Sequence, residues 1–182
     1  MINTEVARYS CYMAKTDSFF IRASLNIGQT AAFAQTSIDL GAYVDALGKS
    51  VLRIHNIAVA FTDGTGTSAT LDAGASGAAQ FQLSTQTQTD TILPSAKAII
   101  ASGMVNAVNQ ESGAGVASVV SDQFDNLPQL WTNGYLVAVD TMYLGGEADA
   151  GFNEDVHVSI TCECTVETMS QAAAMALALS QQ

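Results

Sequence analysis

The sequence predicts a mainly β protein, an antiparallel β-sandwich or barrel with short helical connections and a C-terminal helix. About eight short segments of its 182 residues alternate apolar and polar side chains or are rich in β-branched residues. Hydrophobic residues make up 48% of the chain and charged residues 13%, so the chain is too apolar for a disordered protein. A repeat of roughly 20–50 residues is absent from the sequence, which excludes solenoids and propellers.

The clearest strand is predicted at residues 156–166, where apolar and polar residues alternate without a break. The residues expected to face the core are Val156, Val158, Ile160, Cys162, Cys164 and Val166. Further strands are predicted at 18–26, 31–40, 51–61, 80–90, 104–109, 115–120 and 135–144. The last of these follows Asn133-Gly134, which predicts a tight hairpin turn after Leu130 and Trp131, with both turn residues at positive φ and Trp131 packed beside the hairpin.

Helices and loops are expected to connect these strands. A short helix is predicted at 40–47, with Ser37 or Asp39 as its cap and Gly48 as its end. A second is predicted at 94–103, because Pro94 suits the first turn of a helix. Glycine-rich and acidic composition predicts loops at 62–79 and 145–155.

The C-terminal residues 168–182 are rich in Ala, Met and Leu, carry no charge and favour a helix. We expect a sandwich domain over 1–167 and a helix or arm over 168–182. The apolar residues of this arm are not confined to one stripe, so it should be buried against its own domain, a neighbouring subunit or a membrane surface. The candidate subunit-interface residues are Met169, Met175, Leu177 and Leu179.

Charge is unevenly placed along the chain, which has 6 basic and 17 acidic residues and a net charge of -11. All the basic residues lie at or before Lys97, and 10 of the acidic residues follow it (7 precede it). So few basic residues cannot supply a large nucleic-acid-binding surface, and we expect no direct sequence-specific contact with nucleic acid. This uneven charge suits a polar assembly with a neutral or mildly basic side and an acidic side. A surface of small uncharged residues packs closely without desolvating charge, which suits repeated subunit contacts.

Chemical motifs are sparse. The acidic residues Glu147, Asp149, Glu154 and Asp155 offer hard ligands for calcium, the one cofactor hypothesis, although they lack EF-hand spacing. Cys162 and Cys164 lie two residues apart on the apolar face of a predicted strand, which indicates buried free thiols. His55 and His157 have no neighbouring His or Cys and are expected to be structural. Because no nucleophile elbow or phosphate loop is present, we expect no enzyme.

Residues 38–61, IDLGAYVDALGKSVLRIHNIAVAF, combine an early strand, a short helical connection and a long core strand, with turn-rich loops after them. In this pattern the chain resembles the single jelly-roll major capsid proteins of tailless icosahedral viruses that have an internal membrane. The resemblance implies a jelly roll whose subunits assemble into pseudo-hexameric capsomers. It implies partners that include further copies of the chain, other virion proteins and an internal membrane, with the region of Arg8, Lys15 and Arg22 facing inward.

We therefore expect a viral capsid subunit, made in the host cytoplasm and located in the virion, that self-assembles through edge strands, loops and terminal segments. Two alternatives stay open at this point. One is another self-assembling β protein, such as a phage tail tube or a surface filament. The other is a ligand-binding β-sandwich, which would need exposed aromatic residues in a groove.

Overall fold

The computed structural model describes residues 17–45, 49–112 and 119–182, which form two antiparallel sheets packed face to face. The first sheet has the order β1 (Phe19–Gly28), β9 (Val156–Thr168), β3 (Ser50–Thr62), β7 (Tyr135–Val137). The second has the order β2 (Ala34–Asp39), β8 (Thr141–Ala148), β4 (Ser76–Ser84), β5 (Ile99–Val108), β6 (Val119–Asn126). A single α-helix among these residues, α1 (Gln171–Ser180), follows the last strand.

The chain winds between the two sheets in the manner of a jelly roll. Every connection between consecutive strands crosses from one sheet to the other, except those joining β4 to β5 and β5 to β6. The pairs β1–β9, β2–β8, β3–β7 and β4–β5 are each antiparallel and lie side by side. These eight strands form the jelly roll, and β6 extends the second sheet at its edge. The predicted fold class is confirmed.

The core lies between the sheets, and β9 shows how the sequence builds it. Side chains alternate in burial from Val156 to Cys164, because successive residues of a strand point to opposite faces. Cys162 and Cys164 are both 0% exposed and unpaired, as predicted. After Cys164, Thr165 and Glu167 on the other face are also buried. The outer face of the first sheet is therefore covered at this end.

Both predicted connecting helices are wrong within the described residues. At 40–47 the chain makes one turn, in which the N–H groups of Tyr43 and Val44 both donate to Leu40 O; residues 46–48 lie outside the described part. Asp39 does cap this turn, since its carboxylate accepts from Gly41 N at 2.8 Å. At 94–103, helix propensity is overridden because β5 begins at Ile99 and buries it against the neighbouring strands.

The predicted strand at 135–144 is two strands in different sheets, β7 and β8. In the segment before it, Pro128–Leu130 forms a 3-10 turn. The turn at Asn133-Gly134 has positive φ only at Gly134, at +62°, so it is not the expected hairpin turn. Trp131 is 53% exposed and does not pack beside a hairpin.

Several predicted boundaries also move. β4 begins inside the predicted loop 62–79 and ends before 90, and β8 extends into the predicted loop 145–155. Of the predicted strand 115–120, residues 115–118 lie outside the described part, and β6 continues past it to Asn126. The predicted division after residue 167 falls one residue before the end of β9.

Candidate functional site

The C-terminal helix docks on the outer face of the first sheet. Ser170 caps it, since its Oγ accepts from Ala173 N at 3.3 Å. Ala174 and Ala178 are buried and form a small apolar cluster with Val51 of β3 and Ala138, which follows β7. The helix comes close to the sheet because these side chains are small. Of the three predicted coverings, the chain's own domain therefore accounts for one face of the helix.

Gln181, just beyond the helix, fixes its end to the sheet. The side-chain amide of Gln181 accepts from Ala138 N at 3.0 Å and donates to Leu136 O at 2.6 Å. The backbone O of Gln181 accepts from Thr85 Oγ1 at 2.6 Å and from Gln86 Nε2 at 3.1 Å. β7 pairs with β3 on one side, and the Gln181 amide takes the place of a neighbouring strand on the other. This protects an exposed sheet edge.

An ion pair lies on the same sheet face. Arg53 Nε and Nη2 donate to the two carboxylate oxygens of Glu167, both at 2.7 Å, and Nη1 also donates to Asn133 O. The side chains are 15% and 4% exposed, respectively. A bidentate ion pair with this little exposure fixes the spacing of β3 and β9. The pair is not apparent from the sequence, because Arg53 and Glu167 are 114 positions apart.

The four predicted interface residues are placed in two groups. Met169 and Leu177 pack partly against the cluster beneath the helix, so they contribute to docking within the chain. Met175 and Leu179 project from the helix and are 42% and 68% exposed. Of the four predicted interface residues, Met175 and Leu179 are the exposed ones, and Met169 and Leu177 are half-buried.

A groove crosses the outer face of the second sheet at β4, β5 and β6, and we call it the sheet groove. Its volume is about 460 Å³, and most of its surface is apolar. Its floor includes Gln82 of β4, Met104 of β5 and Asp125 of β6, and its roof is the segment Ile92, Leu93, Pro94. Leu93 is 75% exposed.

Side-chain amides hold this roof in place. Gln82, which is 1% exposed, donates to Asp90 O at 3.3 Å and accepts from Ile92 N at 3.0 Å. Asn126 donates to Pro94 O at 3.5 Å, at the other end of the roof. The sheet groove is therefore preformed rather than shaped by a ligand. The groove is not apparent from the sequence, although Gln82 and Ile92, which bond to each other, are only 10 positions apart.

The calcium candidates are Glu147, Asp149, Glu154 and Asp155. Glu147 lies in β8, and its carboxylate accepts from Gln80 Nε2 and from Thr91 Oγ1. Asp155 accepts from Asn26 Nδ2 at 3.0 Å. Across residues 17–45, 49–112 and 119–182 no three His, Cys, Asp or Glu side chains are grouped to hold a metal ion. The calcium hypothesis stays a prediction, and these four described residues do not come together in one site.

The described thiols and imidazoles lie in β3 and β9. Burial raises the pKa of Cys162 and of Cys164 to about 12, with a smaller contribution from neighbouring negative charge. His55 lies where β3 shifts register against β9, and its Nε2 is 2.9 Å from Thr165 Oγ1. His157 is half-buried in β9, on the polar face of the strand. Cys11 lies outside the described residues.

In the described part of the chain, no helix has both the length and the hydropathy to span a bilayer. Comparison with protein-family models gives no match, and comparison with curated protein sequences gives none either. The fold alone therefore connects this chain to proteins of known structure.

Solved structures that are similar to this chain include viral proteins. VP1 of Trichodysplasia spinulosa-associated polyomavirus, solved in complex with GM1 oligosaccharide, aligns over 84% of this chain and 96% of its own, with a TM-score of 0.50 and 10% identity. Merkel cell polyomavirus VP1, as an unassembled pentamer, covers 84% and 96% of the two chains with a TM-score of 0.41 and 7% identity. A chain from the structure of Desmodium yellow mottle tymovirus aligns over 86% of this chain and 88% of its own, with a TM-score of 0.37 and 8% identity. From the first of these alignments and the strand order above, the chain has the jelly-roll fold that is found in viral capsid proteins.

Proposed function

We propose that this protein is a structural capsid subunit, located in the virion, which self-assembles into a closed shell. The observation that carries the proposal is the jelly roll itself, since its fold aligns with a viral VP1 over almost the whole length of that chain. The core and the inner faces of the two sheets are used to build this fold, so assembly has the outer surfaces, edges, loops and terminal segments available to it. We infer a structural rather than an enzymatic role on the same ground.

The exposed face of α1 supports this proposal. Met175 and Leu179 remain exposed on a helix that is otherwise fixed to its own domain by Gln181. Leu130 and Trp131, in the turn before β7, are 55% and 53% exposed. Aromatic and Met side chains are enriched at the centres of protein interfaces. A second copy that covered these residues would remove apolar surface from water without breaking any contact within the chain.

The net charge opposes assembly and makes it depend on ionic strength. Each subunit carries -11, so neighbouring copies repel one another unless salt screens the charge. We expect assembly to increase with ionic strength up to about 0.5 M, where the screening length falls to a few ångströms. A shell held together mainly by ion pairs would respond in the opposite way.

The proposal is tested with a paired substitution on the helix. Met175→Gln with Leu179→Gln removes the exposed apolar side chains and leaves the buried face of α1 unchanged. Ala173→Gln is the control, because Ala173 is exposed on the same helix but contributes little apolar area. We expect light scattering after size exclusion to show assemblies for the control and mostly dissociated subunits for the pair, with both variants equally stable. Equal assembly of the two variants would contradict a role for this face.

A further inference from the structure

The sheet groove is a preformed binding site whose occupant has a definable chemistry. Its roof offers the apolar side chains of Ile92, Leu93 and Pro94, and its floor offers Met104 and Asp125. Among the described residues that line it there is a carboxylate and no basic side chain. Two further carboxylates adjoin it, because Asp90 precedes the roof and Glu147 accepts from Thr91. A ligand for this site should be an extended segment with apolar and cationic side chains.

One segment of this chain has that composition. Residues 1–16, MINTEVARYSCYMAKT, carry Arg8 and Lys15 against the one acidic residue Glu5. They also contain two tyrosines, two methionines and further apolar residues. The cationic and apolar side chains of this segment therefore complement the groove.

β1 and the sheet groove lie in different parts of the domain. β1, which residues 1–16 precede, packs beside β2 and β8, whereas the groove faces outward from β4, β5 and β6. Sixteen extended residues span about 50 Å, and a domain of this size is roughly 40 Å across. The segment is therefore long enough to extend beyond its own domain.

We propose that residues 1–16 of one copy dock in the sheet groove of a second copy, with Arg8 and Lys15 directed towards its acidic side. This rests on the proposed self-assembly and names a contact that holds the copies together. The roof is already fixed by Gln82 and Asn126, so docking needs little reordering of the receiving subunit.

The native Cys11 permits a direct test in the full-length protein. Leu93→Cys places a thiol on the roof, and the two other native cysteines, Cys162 and Cys164, are buried. Ala73→Cys is the control, in the exposed loop between β3 and β4. Assembled protein is oxidised mildly with diamide, and the products are separated on a non-reducing gel and identified by peptide mass spectrometry. We expect intermolecular disulfides between Cys11 and the thiol introduced at position 93, and a much lower yield of Cys11 disulfides in the control.

Charge supplies a second readout on the same Leu93→Cys background. Asp125→Lys, in the groove, should lower the disulfide yield by up to about fivefold for each ion pair lost. Asp122→Lys, on the same strand but outside the groove lining, should have little effect. Equal effects of the two substitutions would contradict specific docking.

The outcomes separate this proposal from self-assembly as such. Particles that form without disulfides between Cys11 and position 93 would overturn groove docking and leave assembly standing. Disulfides that join Cys11 to position 93 within one chain would overturn docking between copies. Disulfides that join position 93 of one copy to position 93 of another, with none to Cys11, would overturn it as well. Absence of particles in wild-type protein would overturn the proposed function itself.

Discussion

Replacing Gln181 by alanine tests whether the C-terminal helix is part of the folded domain. The substitution removes an acceptor for Ala138 N and a donor to Leu136 O, while the backbone bonds from Thr85 and Gln86 to residue 181 are retained. Ala138 is 2% exposed, so its N–H would be left without a partner. The effect therefore comes from two unsatisfied backbone groups at the sheet edge.

The magnitude follows from the burial of those two groups. An unsatisfied buried group costs about 1–3 kcal/mol. Ala138 is buried, whereas Leu136 is half-buried and water can replace part of its lost bond. We therefore expect Gln181→Ala to lower the free energy of unfolding by about 2–4 kcal/mol. For a domain of this length that lowers Tm by roughly 5–15 °C.

The assay is thermal and urea unfolding at one fixed protein concentration, with Gln182→Ala as the matched control at an exposed position. Hydrogen exchange supplies a local readout, because the Ala138 amide should exchange faster in the variant and not in the control. Gln181→Glu keeps the acceptor for Ala138 and loses the donor to Leu136, so it should also destabilise. A loss below about 0.5 kcal/mol for Gln181→Ala, equal to that of the control, would refute the reasoning.

Three further predictions concern the interior. The thiols Cys162 and Cys164 have pKa values raised from 9.0 to about 12 in the folded state, so their stabilising effect is complete below pH 9 and lost as the pH rises to about 12. Replacing both by alanine should flatten this alkaline decline in unfolding curves, and an unchanged decline would show that other groups cause it. Glu167→Gln should lower the free energy of unfolding in urea by about 3 kcal/mol, because it leaves the mostly buried Arg53 guanidinium without its charge partner, and an unchanged midpoint would show that the pair contributes nothing. Gly103→Ala places a Cβ in steric overlap with the Phe124 ring, so we expect a loss of about 1–3 kcal/mol in the same assay, and a neutral result would show that the ring moves freely.

The strands with the strongest sequence pattern are the ones that the sequence predicts well. β3 matches the predicted segment 51–61, which is β-branched and nearly uncharged. β9 matches the predicted segment 156–166 because its side chains alternate in burial. β1 is predicted for the same reason, since its odd-numbered positions pack against the core. Alternation identifies a strand when one face is buried, and it does so without knowledge of the partner strand.

The errors lie where tertiary contacts override local preference. Residues 94–103 contain good helix formers after a proline, yet Ile99 and Ile100 are drawn into the core as part of β5. The stretch 135–144 has a continuous apolar pattern, but the chain leaves one sheet after Val137 and enters the other at Thr141. Neither change is encoded in a window of ten residues.

The candidate sites are harder still to predict because they depend on distant pairs. Gln181 forms hydrogen bonds with residues that are 43, 45, 95 and 96 positions away from it in the sequence. No local pattern therefore indicates that it fixes the helix to the sheet. The sequence does indicate the apolar character of Met175 and Leu179, but it cannot separate these exposed residues from Met169 and Leu177. Which face of a helix is covered is decided by the sheet beneath it.

The most direct test of the central proposal is the mass and shape of the purified full-length protein. Light scattering after size exclusion gives the mass, and negative-stain imaging of the largest species gives the shape. We expect closed shells or capsomers whose masses are multiples of 18.9 kDa, formed more completely as salt is raised. Open tubes would contradict a closed shell, and a stable 18.9 kDa monomer under all salt conditions would contradict self-assembly of this chain.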